Sequence, residues 1–261
     1  MVTTTEIKRV LINSRQQEIT DLVRKNGFVS IDVMAEHFGV SQQTVRRDII
    51  FLSEQNLVQR HHGGAGLPQG LDRLAYSNRK IRNAFEKAQI GEVVAAHIPN
   101  GASLFIDIGT TMEAIAAALC EHQDLRIVTN HIGVVSTFCE NTDFEIVLAG
   151  GLVRNRDRAV TGDATAEFLN RFRVGYGIFG IGSVTEDGQL LDYHYRDAQV
   201  SRSAMEISRI KFVAADNSKF NADAMMPFAH LSEIDGIFTD RPPIDSVANL
   251  IKQSKVKLYL P

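Results

Sequence analysis

At 261 residues and 28.9 kDa the chain exceeds one average domain of about 100–200 residues, so two domains are expected. With 44% hydrophobic and 23% charged residues it can build a full core, which excludes a disordered, collagen-like or disulfide-stapled chain. The net charge of −3 conceals a split: residues 1–90 hold 13 basic against 9 acidic side chains, a net +4, while residues 91–261 hold 15 against 22, a net −7. Opposite signs predict different partners for the two parts.

Cys120 and Cys139, both in stretches that read as helical and apolar, are expected as buried free thiols. No apolar run reaches the roughly 18 residues of a spanning helix, and Met1–Glu6 lacks the basic start and apolar core of a signal peptide. A cytoplasmic chain is expected.

In chain order, Ile19, Leu22 and Val23 give one apolar face to a helix from about Ser14 to Asn26, closed by Gly27. Ser30 is placed to cap a short second helix that carries Val33, Met34 and Phe38 inward and stops at Gly39. Ser41 caps a third, whose apolar positions Val45, Ile49 and Leu52 recur at spacings of four and three. Gln42, Gln43, Thr44, Arg46 and Arg47 are left on its outer surface. Leu57–Arg60 and Ala65–Leu67, separated by His61-His62-Gly63-Gly64, read as two short strands about a glycine turn. Together these elements make a winged helix-turn-helix over residues 1–67. Residues 68–84, polar and basic with Arg73, Arg79, Lys80 and Arg82, read as a partly helical linker.

Over residues 85–261 short apolar strands alternate with amphipathic helices. The strands are expected at Ser103–Ile108, Arg126–Thr129, Glu145–Ala149, Gly177–Ile181, Ile210–Ala215, Gly236–Thr239 and Val256–Leu260. The helices are expected at Met112–Cys120, Ile132–Cys139, Arg196–Ile207 and Ile244–Ser254. This alternation predicts a largely parallel sheet in an α/β domain, with ligands beyond the carboxyl ends of the strands.

The two parts imply different chemistry. An α-helix fits the major groove of DNA, where Arg pairs with guanine and Gln with adenine, so Ser41, Gln42, Gln43, Thr44, Arg46 and Arg47 are candidate readers. Arg60, His61 and His62 on the wing can meet phosphates or the minor groove. Asp48 is expected to pair with a basic side chain or helix end rather than to touch an acidic duplex. Arg15, Ile19 and Val23, then Ser41-Gln42-Gln43-Thr44-Val45-Arg46-Arg47-Asp48-Ile49 and His62-Gly63-Gly64-Ala65, closely resemble the DeoR family of bacterial transcriptional regulators. That resemblance implies operator binding by this part of the chain.

In the second part, Phe105-Ile106-Asp107-Ile108-Gly109-Thr110-Thr111 is a strand, a short loop and a helix start. Gly109 permits close backbone approach, and the amides and hydroxyls of Thr110 and Thr111 suit an anion such as phosphate, although glycine and threonine also serve as plain turn and cap. Asn130, Gly150-Gly151 and Asp216-Asn217-Ser218-Lys219 fall at other strand ends, where Lys219 can neutralise a phosphate. Asp192 and Asp197 have two readings, as acceptors for ligand hydroxyls or as surface charges capping a helix that starts near Tyr195. With a domain charge of −7, an anionic ligand must be held by local donors rather than by the overall field.

The resemblance runs from about Arg15 to Pro261. It implies a sensor domain similar in fold to sugar-phosphate isomerases and deaminases, with Asp107–Thr111, Thr129-Asn130, Ala149–Gly151 and Ala214–Phe220 matching its ligand motifs. Leu190–Ser201 looks most like regulators of glycerol 3-phosphate metabolism, but those usually carry an Asp and a Glu where this chain has His194 and Asp197. The expectation is a non-enzymatic repressor that forms a dimer or tetramer and is released from operator DNA by a small phosphorylated polyol or sugar. Its alternative is an isomerase- or deaminase-like enzyme with a DNA-binding attachment, for which Asp107, Asp192, Asp197 and Asp216 offer carboxylates. No catalytic residue, cofactor or metal ligand is assigned.

Overall fold

The computed structural model describes residues 12–26, 28–55, 57–61, 63–66, 76, 79–185, 187–222 and 224–261. The chain divides into two compact units, Met1–Asn78 and Arg79–Pro261.

In the first unit α1 spans Ser14–Asn26, β1 Phe28–Ser30, α2 Ile31–Phe38, α3 Gln42–Glu54, β2 Gln59–His61 and β3 Gly64–Gly66. The caps act as their residue types dictate. Ser30 Oγ accepts from the Val33 amide and Ser41 Oγ from the Thr44 amide, and Gly39 closes α2 at φ 62°, where a Cβ would be strained. Ile19, Val23, Met34, Val45, Ile49 and Leu52 meet in one core. Val33, expected inside, is 43% exposed, because the register that buries Met34 turns its neighbour outward. The wing is a three-stranded antiparallel sheet in the order β1-β3-β2. Sequence reading missed β1, three residues between two helices, and put His61 in the turn, whereas it pairs with Gly64 inside β2. Leu57 and Val58 precede the strand and pack on the core instead.

The second unit opens with α4 (Ala84–Ala95), β4 (Ser103–Ile106), α5 (Thr110–Leu119), β5 (Arg126–Thr129), α6 (Ile132–Asn141) and β6 (Glu145–Leu148). A hairpin, β7 (Leu152–Arg154) and β8 (Ala159–Thr161), leads to α7 (Asp163–Leu169) and β9 (Val174–Phe179). Then come β10 (Ser183–Val184), β11 (Gln189–Asp192), α8 (Tyr195–Ile207), β12 (Ser208–Ala214), β13 (Met226–His230), β14 (Gly236–Phe238), α9 (Asp245–Gln253) and β15 (Lys257–Tyr259).

Seven strands form one parallel sheet in the order β15-β14-β12-β9-β4-β5-β6. Each corresponds to a strand expected from the sequence. Alternate residues feed two cores: Leu104, Ile106, Ile127 and Ile178 join α4, α5 and α6 on one face, while Phe105, Val128, Phe179 and Val213 join α7, α8 and α9 on the other. From β4 the chain winds outward to β6, then returns to the opposite side of β4 as β9. The sheet therefore reverses direction between β4 and β9, the crevice in which open α/β sheets hold ligands.

Both cysteines are free, but Cys120 is half-buried and Cys139 exposed, so the expected burial of Cys139 is corrected: α6 turns Val134 and Phe138 into the core, not Cys139. Among the described residues no helix is long and apolar enough to cross a membrane.

Candidate functional site

On the first unit, Ser41, Gln42, Gln43, Arg46 and Arg47 are exposed and Thr44 is half-buried. Ser41 and Thr44 spend their hydroxyls on each other at 3.0 Å. Gln42 donates its amide to Asp32 and receives Arg46 at 3.4 Å, so Asp32, Gln42 and Arg46 form a relay along the surface. Gln43 and Arg47 have no side-chain bond among the described residues and are the uncommitted pair. Asp48 is buried and takes Arg15 Nε at 2.7 Å and Gln16 Nε2 at 3.0 Å, which fixes α3 to α1 and meets the expectation of an internal partner. Arg60 and His61 are exposed on β2. His62 lies outside the described residues.

On the second unit the carboxyl ends of β4 and β5 carry two orphaned polar atoms. Asp107 is 2% and Asn130 1% exposed, and Oδ1 of each has no hydrogen-bond partner among the described residues. Buried groups of this kind are rarely left unpaired and point to an absent partner. Asp107 Oδ2 accepts from Ser201 Oγ on α8 at 3.1 Å, and Asn130 Nδ2 donates to the Val160 carbonyl at 3.1 Å. Burial, then the nearby Asp192 carboxylate, pushes the Asp107 carboxyl up to about 8.

The loop after Asp107 reaches Gly109 at φ 123° and ψ 163°, a conformation that glycine alone adopts easily. It delivers the first amides of α5, which have no acceptor within the helix. A side chain at Gly109 would meet nothing within 4 Å, so the space above the loop is open. Thr110 and Thr111 are half-buried beside it.

Asp192 ends β11 and Asp197 lies in the first turn of α8, and both are buried. This overturns the reading of them as surface charges, although α8 does begin at Tyr195. Burial and then Asp197 push Asp192 up to about 7, opposed by the Tyr193 amide, Arg154 and Lys219. Asp197 is different, because Arg154 grips both its oxygens, Nη1 to Oδ1 at 3.0 Å and Nη2 to Oδ2 at 2.7 Å. The same guanidinium binds Asp157, with Nε at 2.8 Å and Nη2 at 2.7 Å. Asp197 is thus committed to Arg154, whereas Asp107 and Asp192, both buried, form no ion pair among the described residues. Lys219 sits in the turn Asn217–Asn221, half-buried, with Nζ donating to Tyr193 Oη at 3.2 Å.

Gly150 and Gly151 follow β6 in the turn that launches the hairpin. The Gly150 carbonyl accepts from Thr165 Oγ1 at 3.0 Å, and a side chain at Gly151 would collide with that hydroxyl, so close packing on α7 accounts for the pair. The hairpin then brings Arg154, Arg156 and Asp157 over the start of α8, where Arg156 bonds His194. None of these three was singled out from sequence; the signal was the charge density of Arg154-Asn155-Arg156-Asp157-Arg158 between two apolar triplets. Ser201 and Tyr193 were also missed. An open cleft of about 580 Å³ at the opposite, amino ends of the strands, lined by Arg126, Arg173 and Arg209 among others, contains none of the site residues.

A winged helix-turn-helix followed in one chain by a parallel α/β unit, with unpaired buried polar groups and an open glycine loop at its switch point, defines a ligand-responsive DNA-binding regulator. Comparison with known proteins agrees: residues 15–70 match the DeoR-like helix-turn-helix domain and residues 82–241 the DeoR C terminal sensor domain. The chain belongs to the DeoR family. It is 44% identical to the glycerol-3-phosphate regulon repressor of Escherichia coli (strain K12) over 246 residues, 94% of this chain and 98% of that one. Its identity to the Haemophilus influenzae protein of the same name is 43%, over 94% and 96%. The HTH-type transcriptional repressor CsqR of Escherichia coli is 35% identical, over 95% of each chain. Among solved structures, ribose 5 phosphate isomerase A from Neisseria gonorrhoeae aligns over 52% of this chain and 53% of its own at 16% identity and a TM-score of 0.39, too distant to bear on function.

Proposed function

We propose that the protein is a cytoplasmic transcriptional repressor of a carbon-utilisation operon, released from operator DNA by a small phosphorylated polyol, sn-glycerol 3-phosphate first among them. The observation that carries the effector half is the pair of orphaned buried oxygens on Asp107 and Asn130 beside the open Gly109 loop. Thr110, Thr111, the α5 amides and Lys219 offer donors to a phosphate, while Asp107 and Asp192 offer acceptors to hydroxyls. One molecule carrying a phosphate and vicinal hydroxyls satisfies both sets. Asn130 and the Gly150-Gly151 turn shape the pocket, and Asp197 holds its wall through Arg154. The relatives named above are repressors and not enzymes, in line with a regulator that uses no catalytic residue or cofactor. A thermal-shift screen of phosphorylated three- to six-carbon polyols and sugars tests this reading: a stabilisation that grows with ligand concentration is expected, and none from any of them would sink it.

Within the DNA-reading unit, residues 1–67, Arg47 and Gln43 are the direct readers, Arg60 and the wing histidines His61 and His62 meet the backbone, and residues 68–84 connect to the sensor. One recognition helix covers a half-site, so the repressor acts as a homo-oligomer, dimer or tetramer. Arg47→Ala is expected to weaken specific operator binding by about 1–3 kcal/mol, the worth of one good base contact, with effector affinity unchanged. A footprint identical to wild type would remove Arg47 from the readers. Lys219→Ala is expected to leave a repressor that still binds its operator but no longer lets go when glycerol 3-phosphate is added. Normal induction of a reporter in that variant would refute the phosphate role.

A further inference from the structure

The first residues of the second unit, Arg79 to Asn83, are bonded to both loops that frame the effector pocket. On one side Thr110 Oγ1 donates to the Arg79 carbonyl at 3.5 Å, and Lys80 Nζ lies 2.9 Å from Glu113 Oε2, one turn further along α5. On the other, Asn83 Nδ2 donates to Asp216 Oδ1 at 2.9 Å. Asp216 is the cap of the turn that carries Lys219, its side chain accepting from the Ser218 amide. Asn83 itself is held left-handed at φ 54° as the cap of α4. The buried ammonium of Lys87, one turn into α4, donates to the carbonyls of Arg79 and Arg82 and so ties the segment to that helix.

These bonds occupy groups that an anion in the pocket would recruit or disturb. Thr110 cannot turn its hydroxyl to a phosphate without releasing the Arg79 carbonyl, its weakest and longest tie. Lys219 cannot close on a phosphate without moving the turn that Asn83 holds through Asp216. The segment is also crowded with like charge. Burial lowers the Lys87 ammonium, and Lys219, Arg79 and Arg82 lower it further, with Asp216 as the opposing acid. An arriving dianion would relieve that repulsion and change the energy of the segment as a whole. Residue 79 follows directly in sequence on the first unit.

We propose that residues 79–83 are the coupling element of this regulator, and that Lys80 and Asn83 are positioning residues through which the state of the effector loops reaches the DNA-reading unit. The inference rests on the effector reading above.

The test uses the full-length chain, sn-glycerol 3-phosphate and an operator duplex defined by footprinting. Effector affinity is read by calorimetry and operator affinity by fluorescence anisotropy with and without effector. In wild type the effector is expected to loosen operator binding by about 5–150-fold, the ordinary range of allosteric coupling. In Asn83→Ala and in Lys80→Met that factor should fall by about fivefold or more, while effector affinity stays within about threefold of wild type. Lys80→Arg, which keeps the pair with Glu113, should retain the wild-type factor, a rescue that a general loss of stability would not show. The inference is overturned if both variants keep the full factor, or if coupling disappears only because effector affinity disappears with it. Should Asn83→Ala fail to fold, the Lys80→Met and Lys80→Arg pair decides alone. A wild-type protein that ignores glycerol 3-phosphate and other sugar phosphates would instead defeat the effector reading, and that result appears before any variant is compared.

Discussion

Arg154→Met is expected to destabilise the sensor unit by about 3–5 kcal/mol, the usual cost of stripping the cation from a buried ion pair. The guanidinium is 19% exposed, its partners Asp157 and Asp197 are 13% and 3% exposed, and all four carboxylate oxygens bond to it. Methionine fills the volume and leaves the two carboxylates facing each other without their fork. Lysine is not a remedy, since a single ammonium cannot serve two bidentate partners. Arg154 holds Asp157 below the ordinary carboxyl range, so that contribution is present above the ordinary pKa of 3.8 and is lost as pH falls through the lower folded value. The deficit of the variant should therefore shrink in acid. Urea denaturation at pH 7 and pH 3 measures both effects, and Arg154→Met combined with Asp197→Asn should recover part of the loss. A wild-type midpoint at pH 7 would show that the cluster contributes no net stability.

The same cluster shows where sequence reasoning stops. The seven strands of the parallel sheet were legible because strands buried on both faces are short unbroken apolar runs, as in Arg126–Thr129 and Val174–Phe179. Their boundaries drifted by up to three residues, at Ile108 where the run outlasts the ladder and at Val174 where β9 begins before the expected Gly177. The α2 and α3 helices were legible from their capping serines and Gly39, and α1 from the apolar face of Ile19, Leu22 and Val23. β1, the β7–β8 hairpin and β10, each strand of two or three residues, were not: they are too short for a periodicity to count and are fixed by the strands they pair with. The α4 helix lies just past what read as linker and was not among the expected helices, and its buried Lys87 resembles any surface lysine until its carbonyl partners are known.

Within the site, the split followed chemistry that a single motif can express. Gly109, Thr110 and Thr111 are adjacent, and their loop-then-helix logic is local. Asp192 and Asp197, five residues apart with the same charge, were inseparable in sequence. The difference between them is Arg154, 43 residues away from Asp197, which binds both oxygens of Asp197 and makes no hydrogen bond to Asp192 among the described residues. His194, where the sequence was expected to differ from regulators of glycerol 3-phosphate metabolism, is the residue that Arg156 contacts from the hairpin.

Stability without effector should decline from pH 5 to pH 9, by about 5–10 °C in thermal midpoint, and Asp107→Asn should flatten much of that slope. Asp107 is moved from the ordinary value of 3.8 up to about 8 and Asp192 up to about 7. A raised carboxyl pKa means that the folded state holds a proton the unfolded chain has released. The resulting stability is fully present below the unfolded value near 4, declines with rising pH, and is gone above the folded values of about 7 and 8. Asparagine at 107 stays neutral throughout and removes the larger of the two contributions, so at pH 8 the variant should be more stable than wild type. It should also bind glycerol 3-phosphate weakly, because an ionised Asp107 accepts from a ligand hydroxyl with both lone pairs of Oδ1 whereas the amide offers a donor there or yields its bond to Ser201. Effector binding to the wild type should release protons between pH 7 and 8, above the phosphate's own titration near 6, and so tighten as pH rises. Calorimetry in two buffers of different ionisation enthalpy counts those protons. Zero release would mean that the orphaned oxygen of Asp107 does not serve the effector, and an unaltered pH slope in Asp107→Asn that its proton does not set the stability.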